Sequence, residues 1–146
     1  MLRRPLLAVA AFGLLAGPAM AQEQIIQPGY WEVTNKVQAV ISKTTHERRC
    51  ITPAQVAKFA MGPGNKHYTC AYPTRVFENG RISLKGTCTD KKGKQAQVTA
   101  SGAYSPSAFQ MTADVDATYA GLPISARFST DARRLADACP AGAKTG

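Results

Sequence analysis

Hydrophobic and polar residues alternate with a period of two over most of the chain, the pattern of half-buried β-strands. From Trp31, the apolar positions Trp31, Val33, Val37, Ala39 and Ile41 interleave with Glu32, Thr34, Lys36 and Gln38, which predicts a first strand. Thr44 to Cys50 is its expected partner. One helix signal interrupts the alternation. Thr52-Pro53-Ala54-Gln55 offers an N-cap hydroxyl, a proline at the first helical position and a glutamine three residues beyond the cap, and Ile51 and Val56 are spaced as a hydrophobic staple across that start. The helix is expected over about residues 53–61, stopped by Gly62-Pro63-Gly64.

Alternation then resumes. Tyr68, Cys70, Tyr72, Thr74 and Val76 share one expected strand face, and Ile82, Leu84, Gly86 and Cys88 share another. Glu78-Asn79-Gly80 between them suits a three-residue hairpin loop with Gly80 left-handed. Closing that loop with Phe77 and Arg81 sets Val76 against Ile82, Tyr72 against Gly86 and Cys70 against Cys88. Pro73 falls where a ladder donor is needed, so this register requires a bulge or an edge position there. Three further strands follow. Ala96, Val98, Ala100, Gly102 and Tyr104 make one face, and Ser105-Pro106-Ser107 makes a turn. Phe109, Met111, Ala113, Val115, Ala117 and Tyr119 make the next face, Gly121 and Pro123 mark a turn, and Ile124, Ala126 and Phe128 belong to the last strand.

The expected fold is mainly all-β: about seven antiparallel strands in a meander, with one short helix inserted after strand 2. Connections are short, so sequence neighbours should be sheet neighbours. A sheet with one apolar face must curl into a barrel or half-barrel, or fold over the helix; a strongly curved sheet with the helix plugging one side or end is expected. The tail over residues 140–146 is expected to be disordered.

Four cysteines allow three pairings. The hairpin register pairs Cys70 with Cys88 and leaves Cys50 for Cys139. A zinc site is the competing use of these thiols, but no Cys-x-x-Cys spacing occurs, so no metal is expected. The compartment agrees with disulfides. Arg3 and Arg4 precede an apolar run from Leu6 to Leu15, broken by Gly17-Pro18 and followed by Ala19-Met20-Ala21. This is the layout of a secretory leader cleaved after Ala21, which places the product in the periplasm as a single β domain over residues 22–139. The whole chain carries a formal charge of +9. Loss of the two leader arginines leaves +7, enough for weak attraction to an anionic membrane surface or polysaccharide. Nucleic acid is not an expected partner in that compartment. Lys91, Lys92 and Lys94 fall in an expected turn, and Arg48, Arg49, Arg133 and Arg134 flank expected strand ends, where such charges discourage edge-to-edge aggregation.

Catalytic signals are sparse. His46 and His67 are the only histidines, and neither has metal-ligand spacing. No Gly-x-Ser-x-Gly elbow and no glycine-rich phosphate loop occurs, and no cofactor is implied. Asp114 and Asp116 share a strand face but alternate with core positions, as solvated outer-face residues do.

Pro28-Gly29-Tyr30-Trp31-Glu32, Cys50-Ile51-Thr52-Pro53-Ala54-Gln55 and Arg134-Leu135-Ala136-Asp137-Ala138-Cys139 together resemble a family of exported bacterial proteins of unknown function, domain of unknown function 3617. That family shows Pro-Gly-x-Trp-Glu, Cys-x-Thr-Pro-Glu, two further cysteines and a terminal Arg-x-Gly-Asp-Cys. Ala54 stands at the usual acidic position, and one extra residue precedes Cys139. The resemblance implies a compartment and a four-cysteine framework, and carries no catalytic residue.

The reading is therefore a non-catalytic protein that binds an apolar or lipid-like ligand. Small residues facing aromatic ones on a curved sheet can leave a cavity; the candidate lining residues are Tyr68, Tyr72, Tyr104, Phe109, Met111 and Tyr119. The main alternative is a protein-interaction or structural envelope role, with the helix residues Val56 and Phe59 filling the core and an edge strand accepting a partner protein. A hydrolase comes last.

Overall fold

The computed structural model describes residues 25–145. The expected leader and its cleavage after Ala21 lie outside the described residues. The elements are β1 (Gly29–Gln38), β2 (Lys43–Ile51), α1 (Pro53–Phe59), β3 (Tyr68–Glu78), β4 (Arg81–Asp90), β5 (Gln95–Ser105), β6 (Ala108–Tyr119) and β7 (Leu122–Ala136). They form one antiparallel sheet of seven strands in the order β2-β1-β7-β6-β5-β4-β3. Sequence neighbours pair as expected, with one exception. α1 carries the chain from β2 at one edge to β3 at the other, and β1 pairs with β7 instead. The sheet is open, with β2 and β3 as its edges.

β7 is longer than Ile124–Phe128, and Arg133 and Arg134 lie inside it instead of flanking its end. Its polar stretch pairs with β1 from Arg127 opposite Gln38 to Arg134 opposite Trp31. Ser129, Asp131 and Arg133 face outward along this stretch, so the apolar count falls although the period continues.

α1 begins as its sequence requires. The Thr52 hydroxyl accepts from the Gln55 backbone N–H at 3.4 Å, and the Gln55 side chain accepts from the Thr52 N–H at 2.7 Å. The helix ends at Phe59, two residues before the expected limit, because Met61 and Gly62 donate to Lys58 and Phe59 in tighter turns.

The β3–β4 hairpin differs from its expected register in two places that cancel. Asn79 and Gly80 both have positive φ, 50° and 71°, which makes a two-residue turn of the kind Asn-Gly favours. Phe77 therefore pairs with Ile82 and packs on the core, while Val76 pairs with Ser83 and is exposed. Between Ala71 and Thr74 a bulge sets Tyr72 and Pro73 opposite Gly86 alone. The added residue restores Cys70 opposite Cys88, as the sequence predicts, and absorbs the donor that Pro73 lacks. Gly86 is fixed by this bulge, since a Cβ there would overlap the Ala71 carbonyl oxygen and the Tyr72 ring.

Both expected disulfides are present, Cys50–Cys139 and Cys70–Cys88, with Cα separations of 5.7 and 4.0 Å. Beyond Cys139 the chain turns at Pro140–Ala143, and the Lys144 carbonyl accepts from the Cys50 N–H at 2.7 Å beside the edge of β2.

Two buried clusters line the inner face. Ile82, Leu84, Cys88, Val98, Ala100 and Ala113 form one, and Ile26, Trp31, Val33, Phe109 and Ala132 form the other. Phe59 of α1 packs against both, with ring centroids 4.7 Å from Phe109 and 5.7 Å from Phe77. α1 thus plugs one end of the inner face through its side chains.

Candidate functional site

The plug is too short for the face it covers. Seven helical residues span about 10 Å, whereas the twelve residues of β6 run for about 40 Å. The inner face is divided into a covered part, beneath α1 and along β4 and β5 as far as Cys88 and Ala96, and an open part at the far end of β6, β7 and β1.

Four of the six residues expected to line a ligand site belong to the covered half. Phe109 is buried between Trp31 and Phe59. Tyr104 packs beside Phe77, with centroids 6.1 Å apart, and Met111 packs on the first cluster. The Tyr72 ring lies over Gly86 and against Gly62, and its hydroxyl donates to the Pro63 carbonyl at 2.6 Å. Burial raises the Tyr72 phenol above its ordinary pKa. The small residues on this side accommodate close backbones and aromatic rings: Gly102, like Gly86, has a neighbouring backbone where a Cβ would stand.

Tyr68 and Tyr119 lie outside this packing, 44% and 65% exposed. Tyr119 belongs to a row along the β6–β7 hairpin that includes Leu122, Ile124 and Phe128, which are 68%, 49% and 41% exposed. The pairing sets Leu122 beside Tyr119, Ile124 beside Ala117 and Phe128 beside Ala113, so the row continues the face that buries Phe109 and Ala132. On β1, Val37 stands beside Phe128 on the same face. Past it, Val40 and Ile41 are exposed in the β1–β2 turn. Lysines border the row. Lys43 pairs with Val37 from β2, and the Lys94 ammonium sits 5.4 Å from the centre of the Tyr119 ring. A surface of this kind gains about 25 cal/mol for each Å² of apolar area withdrawn from water.

Of this exposed row only Tyr119 is among the lining residues expected from the sequence; Leu122, Ile124 and Phe128 are not. The signal was available, because a helix of about nine residues cannot roof strands of ten or more, and the apolar alternation runs on past its reach.

The outer face carries cross-strand polar pairs. Glu32 accepts from Arg133 at 2.7 Å on one side and from Arg48 at 3.3 Å on the other. Asp114 accepts from Arg127 at 2.7 and 3.2 Å, Asp116 from Ser125 at 2.5 Å, and Thr34 Oγ1 lies 2.9 Å from His46 Nδ1. An open groove of about 540 Å³ runs over Glu32, Gln110, Asp131 and Arg133. Among the described residues no three of His, Cys, Asp and Glu converge as a metal site requires.

The Arg133 hydrogen bond, with Arg48 adding to it, holds the Glu32 carboxyl below its ordinary value, and Arg127 does the same to Asp114. A lowered carboxyl pKa contributes stability that is present above the unfolded pKa and is lost as the pH falls through the folded one. The Glu32 carboxyl carbon should therefore titrate by NMR below the usual glutamate range, and Arg133→Gln should move its midpoint upward. An unchanged midpoint in that variant would show that the pair is not formed in solution.

A family model described as Protein of unknown function (DUF3617) matches residues 26–139. No curated protein and no solved structure matches the chain significantly.

Proposed function

The chain belongs to the DUF3617 family, whose model covers it from the start of the sheet to Cys139, and from that premise we propose an exported, non-catalytic protein that binds an apolar or lipid-like ligand on the open half of its inner face. The carrying observation is the exposed row Tyr119, Leu122, Ile124 and Phe128 on a face that is otherwise core. Contiguous apolar surface of this kind is a recognised mark of a binding site. Two disulfides and the leader pattern support export.

Addition of a partner strand is less well supported, because both sheet edges are guarded. β3 carries Pro73 and its bulge, and β2 carries Arg48 and Arg49, with the Lys144 carbonyl already on the Cys50 N–H.

Native mass spectrometry of protein purified from its own envelope tests the reading. The expected result is a species heavier by a lipid-sized adduct, which Ile124→Asp with Phe128→Asp removes while the circular dichroism of the sheet is retained. An adduct that survives these substitutions would move the ligand elsewhere. A mass with no adduct, at native envelope lipid levels, would count against lipid binding.

A further inference from the structure

Three turns lie at one end of the sheet, the β1–β2 turn set back from the other two because β7 runs on from Arg127 to Leu122 past the end of β1. The registers place the β1–β2 turn (39–42), the β4–β5 turn (91–94) and the β6–β7 turn (120–121) at one end, and the β3–β4 and β5–β6 turns at the other with α1. The Lys94 ammonium over the Tyr119 ring joins two of them. The first turn carries Val40 and Ile41, 101% and 81% exposed, and the third is flanked by Tyr119 and Leu122. The middle turn carries Lys91, Lys92 and Lys94, and Lys43 closes the first; all four are exposed. Among the described residues none of these ammonium groups is in an ion pair. The nearest carboxylate in the middle turn, Asp90, accepts from the backbone N–H groups of Lys92 and Lys94 at 2.8 and 2.9 Å.

We propose that this end of the sheet docks on an anionic bilayer surface, with Val40, Ile41, Tyr119 and Leu122 entering the headgroup boundary and Lys43, Lys91, Lys92 and Lys94 meeting the lipid phosphates. The inference rests on the lipid-binding reading and extends it to where the ligand is met. A single lipid lying along the inner face would cover Ile124 and Phe128 but not apolar side chains at the outermost point of a turn. A surface reached by all three turns covers them together. The charge decides the kind of surface. Apolar side chains ringed by cations favour anionic lipid, because burial and electrostatic attraction then add, and four lysines leave a protein partner of mixed charge less well matched.

Co-sedimentation of the purified protein with vesicles of phosphatidylcholine alone, and with a third of the lipid replaced by phosphatidylglycerol, tests the proposal. Binding is expected to the anionic vesicles, and to weaken as salt is raised. Ile41→Ser with Leu122→Ser should reduce it by about tenfold or more, because Ile41 stands in a turn, Leu122 borders one, and both keep most of their side chain exposed until a bilayer covers it. Lys43→Glu with Lys92→Glu should reduce it by about tenfold or more through lost attraction. Arg81→Glu makes the same kind of charge change at the opposite end of the sheet and should leave binding within about twofold. Equal binding to neutral and anionic vesicles, or equal losses for the Lys43 and Arg81 variants, would overturn the proposal. So would a dimer in solution that the Ile41 and Leu122 substitutions dissociate, which would assign the surface to a second copy of the chain. A lipid adduct by native mass spectrometry without vesicle binding would sink this inference alone. Absence of both would remove the ligand reading with it.

Discussion

Replacing Cys50 and Cys139 together by serine should lower the unfolding free energy by about 4 to 5 kcal/mol in the chain-entropy model. The bridge spans a sequence separation of 89 residues, so its loss returns to the unfolded chain nearly the whole freedom of the sheet. It joins the strand that leads into α1 to the segment just after β7, and the Lys144 carbonyl reaches the Cys50 N–H beside it. The same treatment of Cys70 and Cys88, which close a separation of 18 residues, should cost about 3 kcal/mol by the same relation. Urea denaturation of the two double variants gives the comparison directly. The expected order is a larger loss for the Cys50–Cys139 pair. The opposite order would mean that packing around Cys88, which is buried in the first cluster, outweighs loop entropy. A loss under about 1 kcal/mol for the long-range pair would remove the entropic account of that bridge.

What the sequence disclosed follows the range of the interactions involved. The α1 start was legible because a capping box is complete within four residues, and Thr52 and Gln55 form it as their spacing demands. The Cys70–Cys88 pair was legible because a hairpin register depends on one turn. Its detail was misread for the same reason: Asn79-Gly80 closes a tighter turn than Glu78-Asn79-Gly80, and only the bulge at Tyr72-Pro73 returned the cysteines to opposition. The pairing of β1 with β7 was not legible. Val33 and Ala132 are neighbours across about a hundred residues, and alternation specifies a face without naming the strand beside it. The polar half of β7 was hidden because Ser129, Asp131 and Arg133 are outer-face residues and the inner positions between them are only Thr130 and Ala132, with Arg134 next opposite Trp31.

The candidate face shows the complementary limit. Tyr119, Ile124 and Phe128 have the same alternation as Phe109 and Ala113, so periodicity gives both groups to the apolar side of the sheet. Which of them are roofed depends on where α1 lies, and that is set by its crossing from one sheet edge to the other. The residues expected as ligand contacts therefore divide into Tyr72, Tyr104, Phe109 and Met111, packed under α1 and the segment that follows it or on the core clusters, and Tyr68 and Tyr119, which are exposed.

That division leads to the second large effect. Trp31→Ala should lower the unfolding free energy by about 3 to 5 kcal/mol, the range for truncating a large buried aromatic. Trp31 is fully buried, its ring centroid is 5.9 Å from that of Phe109, and its indole N–H donates to the Gln27 carbonyl at 3.1 Å. Trp31→Phe retains most of the apolar contact but leaves that carbonyl without its donor, so its smaller loss, about 1 to 3 kcal/mol, reads the hydrogen bond and the remaining volume. The Trp31 and Phe109 single and double variants should show coupling of about 0.5 to 1.5 kcal/mol beyond additivity, as touching rings do. Because this cluster lies at the α1 end, Trp31→Phe should retain vesicle binding under conditions where it is fully folded, while Ile41→Ser with Leu122→Ser should show the reverse pattern, retained stability with reduced binding. The paired outcome would separate the half of the face that holds the fold from the half left open. If the Trp31→Phe variant lost vesicle binding as completely as the turn variant, the two halves would not be independent, and the open end would have to be treated as an extension of the core.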